Sequence, residues 1–366
     1  MKEESGKKRS FFERLMRFLN ILTILALLCA YAGGSISPAT FWPLAFAAMA
    51  YPLILLGMTF FILYWLMKRK WFLFLNLALL LIKPDLIYGT FGAFGSSESD
   101  SPSIRVMTYN VRLFDKYNWN SEANSRDKII SLLNEHDADI ICIQEYYDVN
   151  QQVLKQLSKN GERNIHLRNY FAQRNNKNDF GIATITKFPI VNEGPIVLEN
   201  SRSALAIYTD LKINNDTVRV FNFHLQSIHL GADGYAILDD LMEGQELEEL
   251  TDSKLLAGRL KSGFSRRAEQ AEKIAHYISN SSYPVLVCGD FNDVPSSYPY
   301  QTISEGLHDS FAESGKGIGA TYVRVPFFRI DNILFSPEFE ASDHTTFDSR
   351  PYSDHYAVST RLSVRD

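Results

Sequence analysis

The sequence lacks charged side chains over one long stretch, because no Asp, Glu, Lys or Arg occurs from Phe18 to Met67. Fifty uncharged and mainly apolar residues cannot form a loop of a water-soluble protein. A helix that spans a membrane needs only about 20 apolar residues. The missing charge therefore excludes a wholly soluble protein, whereas the polar composition of residues 101–366 excludes a multi-spanning transporter.

Cysteine is scarce, and its three occurrences (Cys29, Cys142 and Cys288) follow no framework spacing. An odd number of cysteines without CxxC or Cys/His patterns argues against a disulfide scaffold and against a structural zinc site. Cys29 lies in an apolar run, and the other two lie in strand-like runs. All three are therefore interpreted as small apolar side chains of the interior.

Positive charge is deficient in the second part of the chain. Residues 101–366 contain 27 Lys or Arg and 36 Asp or Glu, a net charge of about −9. Proteins that bind duplex DNA usually present a basic face to the phosphates. The acidic stretch His229–Leu256 carries eight of these acids, and without it the remainder is close to neutral. The charge therefore disfavours a nuclease without excluding one.

Three apolar runs predict a membrane anchor with two to three transmembrane helices. The runs are Phe18–Ser35, Phe41–Met67 and Trp71–Phe94, the last interrupted by Lys83 and Pro84. Basic residues precede the first run and follow the second at 68–70, and the positive-inside rule places both groups in the cytoplasm. If the third run crosses, as we expect, the remainder of the chain lies outside the cytoplasm; otherwise it lies inside. A cleaved signal peptide in the first run would still leave the second as an anchor.

A short polar segment at residues 95–103 separates the apolar runs from the rest of the chain. It predicts a linker between a membrane anchor at 1–94 and a soluble domain at 104–366. Eight runs of that domain predict strands: Ile104–Val111, Asp139–Gln144, Gly181–Ile185, Ala204–Ile213, Val218–Leu225, Pro284–Cys288, Ile330–Phe335 and Tyr356–Leu362. Helical periodicity occurs at Ser125–Glu135 and Ser265–Ser279. Because several strands are consecutive, the pattern favours a mixed α/β sandwich over a doubly wound sheet.

Polar residues stand where these strands begin or end. They are Asn110, Glu145, His224, Asp290, Asn292, Asp331, Asp354 and His355. Each has an ordinary explanation by itself, since Asp and Asn commonly cap strands and start turns. Together, carboxylate and amide oxygens from several strand ends provide what a hard divalent cation needs, with substrate phosphate completing the coordination.

In chain order, these motifs resemble the endonuclease/exonuclease/phosphatase superfamily of deoxyribonuclease-I-like Mg²⁺-dependent phosphoesterases, in a membrane-anchored, bacterial-type form. The motifs are Tyr-Asn110, Gln-Glu145, His224-Leu, Gly-Asp290-Phe-Asn292, Ile-Asp331 and Ser-Asp354-His355. The resemblance covers residues 103–364. It implies a four-layer α/β sandwich with two central mixed β-sheets, preceded by an all-α transmembrane region, and it implies Mg²⁺ as the cofactor with Mn²⁺ as a substitute.

The resemblance also implies a role for each residue. The metal ligands would be Glu145, Asp354 and Asn110. The catalytic residues would be Asp290, which aligns or deprotonates the attacking water, His355, which contacts the scissile phosphate, Asp331, which orients His355, and His224, a second histidine. Asn292 and Asn110 would hold phosphate oxygens. Arg202, just before a predicted strand, is a further candidate for substrate binding, although a solvated charge at a strand edge fits its position equally well.

The expected function is a membrane-anchored, Mg²⁺-dependent phosphoesterase in which water attacks a phosphodiester of a lipid head group, a small diester or nucleic acid. The expected location is the bacterial inner membrane, multi-pass, with the catalytic domain outside the cytoplasm. The expected partner is the lipid bilayer, through the N-terminal helices; no protein partner is inferable. One alternative is an endonuclease or exonuclease. Another, of a different class, is a non-catalytic membrane-tethered binding module, which would be expected to have lost one or more of Glu145, Asp290, Asp331 and His355, and all four are present.

Overall fold

The computed structural model describes residues 11–93, 95, 102–117, 124–148, 152–169, 181–198, 204–227, 250–348 and 352–365. Arg202, residues 96–101 of the predicted linker and residues 229–249 of the acidic stretch lie outside these ranges. The described part before residue 94, which we call the helical region, contains α1 (Phe11–Ser35), α2 (Pro38–Phe41), α3 (Pro43–Met49), α4 (Tyr51–Lys68), α5 (Phe72–Leu80), α6 (Pro84–Thr90) and β1 (Phe91–Ala93).

Two of these helices, α1 and α4, are long and apolar enough to cross a membrane. Helices α5 and α6 would supply a third crossing if the pair, bent by 77°, counts as one span. Polar side chains join the three longest helices in the interior: Asn20 donates to Asn76 Oδ1 at 3.1 Å, and Trp65 Nε1 donates to Asn20 Oδ1 at 2.7 Å. Both asparagines are fully buried, whereas large apolar side chains such as Phe18, Leu56 and Phe74 point outward. This arrangement suits an apolar solvent around the bundle.

The second part, which we call the sandwich, contains two six-stranded sheets. The first has the order β13-β14-β2-β3-β5-β4, and the second has the order β10-β12-β9-β8-β7-β6. Their bounds are β2 (Ser103–Asn110), β3 (Ile140–Tyr146), β4 (Asn164–Asn169), β5 (Gly181–Thr186), β6 (Ile190–Ile196), β7 (Leu205–Ile213), β8 (Asp216–His224), β9 (Val285–Asp290), β10 (His308–Asp309), β12 (Asp331–Phe335), β13 (Phe339–Phe347) and β14 (Ala357–Val364). Strands β2 and β3 pair in parallel, as do β8 and β9, and the other pairs are antiparallel.

Helices cover the outer face of each sheet. They are α7 (Ser125–His136), α8 (Gln152–Leu157), α9 (Leu250–Ser279), α10 (Tyr298–Ile303) and α11 (Ser310–Ser314). One apolar cluster lies between the two sheets and includes Val106 and Leu286, a second lies under α7 and α8, and a third lies under α9 and α10. The layers are therefore helix, sheet, sheet and helix, and the four-layer α/β sandwich with two mixed sheets is confirmed.

The helical region packs directly against the sandwich. Strand β1 pairs with β11 (Lys316–Ile318) to form a separate two-stranded sheet. The rings of Phe46 in α3 and Phe264 in α9 meet edge-to-face at 5.2 Å between centroids. Ser296, in the loop after β9, donates its hydroxyl to the carbonyl of Ala48 at 2.7 Å. The residues before the 95–103 segment and the residues after it therefore meet in a buried interface.

Candidate active site

The predicted site residues converge where parallel strands of both sheets end. In the first sheet, Asn110 of β2 is paired with Gln144 of β3, directly before Glu145. In the second sheet, His224 of β8 is paired with Asp290 of β9. Because the carboxyl ends of parallel strands meet at one edge of a sheet, the fold brings these four side chains to one end of the sandwich.

Asp290 is the most connected carboxylate of this cluster, and it is fully buried. Its Oδ2 accepts a hydrogen bond from Asn110 Nδ2 at 2.9 Å, and its Oδ1 accepts from the backbone N–H of Asn292 at 2.7 Å. Two imidazole nitrogens lie next to the same Oδ2, His224 Nε2 at 3.6 Å and His355 Nε2 at 3.8 Å. Asp290 is thus placed to exchange a proton with a group bound between the histidines.

His355 is oriented by Asp331, as the sequence predicts. Asp331 begins β12 opposite Asp290 of β9, and its Oδ2 lies 2.9 Å from His355 Nδ1. Burial would lower the pKa of His355, but the carboxylates of Asp331 and Asp290 outweigh it and raise that pKa well above its ordinary value. Burial raises the pKa of Asp331 to about 6, against the opposing effect of His355. The pair therefore holds a proton at neutral pH, and we place it on the imidazole, whose Nε2 faces the site.

Glu145 lies at an irregularity of β3, where the register to β5 shifts between Ile143 and Tyr146. Its φ of 50° is in the left-handed region, which is strained for a residue with a Cβ atom. The bulge turns the side chain toward the site, where Oε1 lies 3.3 Å from Asn110 Nδ2 and 3.6 Å from His224 Nε2. Glu145 remains 27% exposed, which leaves oxygen surface available to a ligand.

Asp354 has a different neighbourhood from Glu145. Its Oδ2 lies 3.3 Å from Nε of Arg112. The segment from Arg112 to Asp115 has four consecutive positive φ angles, between 45° and 55°. Backbone strain of this kind persists only where the surrounding structure fixes the segment. Here the strained segment places the guanidinium of Arg112 beside Asp354, a predicted metal ligand.

The donor set of the site suits a hard divalent cation together with a phosphate. Carboxylate oxygens are the ligands that such cations prefer, and ligand atoms of Asp290, Asp331 and His355 lie within 4.8 Å of one another. His224 Nε2 is buried and has no hydrogen-bond partner among the described residues. Because buried polar atoms are normally paired, this nitrogen is available to a bound ligand. Asn110 turns its Nδ2 to the carboxylates, while its Oδ1 accepts from the backbone N–H of Arg112 at 3.0 Å. In this arrangement Asn110 orders the two carboxylates, and its assignment as a metal ligand stays a prediction.

Sequence reasoning missed several residues around His355. The hydroxyl of Ser353 donates to the carbonyl of Asn110 at 2.9 Å. Thr321 accepts from the backbone N–H of Asp331 at 3.0 Å, and the ring of Tyr322 lies 5.5 Å from that of His355. Ser353 could have been found from its place in the Ser-Asp-His motif, but no local pattern marks Thr321 or Tyr322. Arg202, the predicted phosphate contact, lies outside the described residues.

Comparisons with solved structures give the same fold. The alignment with the human Nocturnin catalytic domain with bound sulfate anion covers 72% of this chain and 96% of that chain, at 18% identity and a TM-score of 0.54. An endonuclease/exonuclease/phosphatase from Bacteroides vulgatus gives 17% identity and a TM-score of 0.52, over 72% of this chain and 100% of that chain. D. rerio TDP2 complexed with single strand DNA product gives 13% identity and a TM-score of 0.51, over 72% and 99%. At these identities the likeness establishes the fold alone.

Family models cover both parts of the chain. Residues 13–87 match the family described as Domain of unknown function (DUF8431). A search of curated proteins finds no match. Residues 107–355 match the model of the Endonuclease/Exonuclease/phosphatase family, and this range contains every predicted site residue from Asn110 to His355. The match extends over more than half of the sequence, and the chain therefore belongs to the Endonuclease/Exonuclease/phosphatase family.

Proposed function

We propose that this chain is a membrane-anchored, Mg²⁺-dependent phosphodiesterase, with Mn²⁺ as a substitute cation, and that it hydrolyses a phosphodiester in or beside the bilayer. The observation that carries the proposal is the buried carboxylate of Asp290. It lies between the Nε2 atoms of His224 and His355 and accepts a hydrogen bond from Asn110. A buried carboxylate beside two imidazoles provides a proton acceptor for water and donors for the phosphate, which hydrolysis uses and binding alone does not need.

Each side chain has a distinct task in this proposal. Asp290 Oδ2 accepts a proton from the attacking water as the water oxygen bonds to phosphorus. The bond from phosphorus to the ester oxygen breaks, and the leaving alkoxide takes a proton from solvent. His355, held protonated by Asp331, donates a hydrogen bond from Nε2 to a non-bridging phosphate oxygen. Asn292 donates from Nδ2 to the carbonyl of Leu225 at 3.0 Å and to Asp290 Oδ2 at 3.3 Å, and its contact with a phosphate oxygen stays a prediction. Bound near Glu145 and Asp354, the cation would neutralise charge on the phosphate. Glu145 and Asp354 are its proposed ligands, with Asn110 beside them.

The helical region supports the membrane location and its topology. Large apolar side chains of α1, α4 and α5 are exposed along the bundle. The ends of α1 and α3 lie at the sandwich, where Gly34 and Ala48 meet Ser296, and α4 begins at Tyr51, three residues after Ala48. Lys68 ends α4 after 18 residues, about 27 Å away at 1.5 Å per residue. This separation supports a topology in which the basic segment 68–70 and the sandwich lie on opposite sides of the bilayer, with the sandwich outside the cytoplasm by the positive-inside rule.

The substrate is inferred from the same arrangement. Direct packing of α2, α3, α6 and β1 on the sandwich holds the active site close to the bilayer surface. Residues 101–366 carry a net charge of about −9, which opposes capture of a soluble polyanion such as duplex DNA. A lipid head group or a small diester near the membrane is therefore the preferred substrate class.

The test is hydrolysis by the full chain in lipid nanodiscs, with Mg²⁺ and with EDTA. The substrates would be phosphodiester lipids, bis-p-nitrophenyl phosphate and supercoiled plasmid. We expect Mg²⁺-dependent turnover of a lipid or small diester, and His355→Gln should reduce it by about 10²- to 10⁴-fold. The control is His166→Gln, because His166 is also a buried histidine but lies on β4 beside Thr209.

Two results would contradict the proposal. Rapid, salt-tolerant nicking of plasmid without turnover of lipids or small diesters would identify a nuclease. Binding of a phosphodiester without turnover of any of the three substrates in saturating Mg²⁺ would identify a binding module.

A further inference from the structure

The helical region contacts the loop that carries Asp290 and Asn292. Ser296 follows Asn292 by four residues, is buried, and donates its hydroxyl to the carbonyl of Ala48 at 2.7 Å. On its other side, the Ser296 carbonyl approaches Gly34 of α1 so closely that a Cβ atom there would lie 2.7 Å from it. The loop after β9 is therefore enclosed between the end of α1 and the end of α3.

A second contact reaches the loop that carries Asp331. Arg329, two residues before Asp331, is only 3% exposed. Its Nε donates to the carbonyl of Gly89 in α6 at 3.0 Å, and its Nη1 donates to Asp309 Oδ1 at 3.1 Å. The same guanidinium donates to the side chain of Asn332, on the other side of Asp331 in the chain. Arg329 thus joins α6 of the helical region to Asp309 of β10 and to Asn332, the second residue of β12.

A buried guanidinium depends on all of its acceptors. Leaving one N–H of a buried charged group without a partner is costly, because neither water nor another acceptor replaces it. Here Asp309 and Asn332 belong to the sandwich, while the acceptor for Nε is a carbonyl of the helical region. The position of the Arg329 side chain is therefore set in part by how α6 packs.

That position matters for His355. The segment from Arg329 to Asp331 is irregular and is held by Thr321, whose Oγ1 accepts from the backbone N–H groups of Ile330 and Asp331 at 2.9 and 3.0 Å. Asp331 then orients the imidazole of His355 at 2.9 Å. A shift of Arg329 would move the carboxylate that fixes the catalytic histidine, and small misplacements of such groups reduce turnover strongly.

We propose that Arg329 is a positioning residue through which the packed helical region sets the geometry of the Asp331–His355 pair. The membrane-embedded part of the chain is then a component of the catalytic unit as well as its anchor. The activity arm of the test below rests on the proposed function, whereas its exchange arm does not.

The first variant is Arg329→Lys, measured in the full chain in nanodiscs. This substitution keeps the charge but removes the planar guanidinium, which donates to Asp309 and to Gly89 at the same time. We expect kcat to fall by about 10- to 100-fold with KM unchanged, because positioning and not substrate binding is lost. The matched control is Arg219→Lys. Arg219 forms a two-point pair with Asp210 at 2.6 and 2.8 Å in β7 and β8, within the sandwich. The control should keep kcat within about twofold.

The second variant changes only the helical region. Gly34→Leu places a side chain where the Ser296 carbonyl lies and should loosen the packing of α1 on the sandwich. Gly57→Leu is its control, since Gly57 of α4 faces Thr23 of α1. Hydrogen exchange of the peptide containing Ile330 and Asp331 should accelerate in Arg329→Lys and Gly34→Leu, and should not change in either control.

The outcomes separate this proposal from the proposed function. If the chain hydrolyses no phosphodiester, faster exchange at 330–331 in Gly34→Leu still supports the coupling. Unchanged exchange there in both test variants would overturn it, even with full activity in the wild type. An equal loss of kcat in Arg219→Lys would also overturn it, because the effect would then be general destabilisation.

Discussion

The helical region and the sandwich place polar and apolar side chains in opposite ways. In the helical region Asn20 and Asn76 are buried together, while many exposed side chains are large and apolar. In the sandwich, apolar side chains fill most of the space between sheets and helices, and the buried residues Asn110, His224 and Asp290 of the candidate site lie at strand ends. The comparison shows that the surrounding solvent decides which groups are buried. In water, burial of apolar side chains is favourable. In lipid, polar groups must form hydrogen bonds inside the protein.

The largest expected effect tests the polar cluster of the sandwich. Glu145→Gln should remove nearly all Mg²⁺-stimulated hydrolysis, because one charged oxygen ligand is lost without a change of volume. The unfolding temperature should stay close to that of the wild type, since Glu145 is partly exposed and its φ strain remains. Glu193→Gln, on the edge strand β6, is the control for loss of a carboxylate. Substantial activity of the first variant in saturating Mg²⁺ would refute the assigned ligand.

The next prediction tests whether lipid surrounds the helical region and water surrounds the sandwich. Leu56 of α4 is 63% exposed and Val197 after β6 is 57% exposed. If water surrounded both residues, replacing either by Asp would have a similar, small effect on stability. In a membrane, Leu56→Asp should cost about 3 kcal/mol of insertion free energy. Val197→Asp should change stability by less than about 0.5 kcal/mol. The measurement is the fraction of full chain that resists carbonate extraction, and equal behaviour of the two variants would argue against a lipid-facing α4.

The smallest effect concerns pH, and it should come from the sandwich because the helical region contains no histidine. His344 in β13 is half-buried beside Ser310, and desolvation lowers its pKa to about 3. When the pH falls from 7 to 5, the unfolded chain binds a proton at this histidine and the folded chain does not. Stability should therefore fall with falling pH, by about 2 kcal/mol from this group.

The check on His344 is the unfolding temperature of the full chain between pH 7 and pH 5. His344→Gln should flatten the acid side of this curve relative to the wild type. His276→Gln, in α9, is the control because His276 lies near the helix end and contacts Asn280 on the exposed surface. Parallel curves for wild type and His344→Gln would show that His344 titrates in the folded state.

The sequence predicted the elements whose signals are local. All eight predicted strands occur within a few residues of their expected bounds, because central strands buried on both faces have continuous apolar runs. The unpredicted strands β4, β6, β10 and β13 are the edge strands of the two large sheets, and β1 and β11, also unpredicted, form the separate two-stranded sheet. Edge strands are half exposed and carry polar residues, as in Asn192 and Glu193 of β6, so that they lack the apolar signature. The order of the site motifs was also readable from the sequence, because each motif is a short segment at a strand end.

Only the tertiary structure decided which of these segments meet. Asp331 faces Asp290 through the pairing of β12 with β9, and Arg112 meets Asp354 across 242 residues of chain. The hydrogen bond from Arg329 to the carbonyl of Gly89 likewise cannot be predicted from local sequence, because every residue has a backbone carbonyl. The sequence determined that the chain has an apolar helical region and a phosphoesterase-like set of strand ends. Long-range packing decided that the helical region touches the loops of that site, since contacts between distant segments depend on the complete fold and not on local pattern.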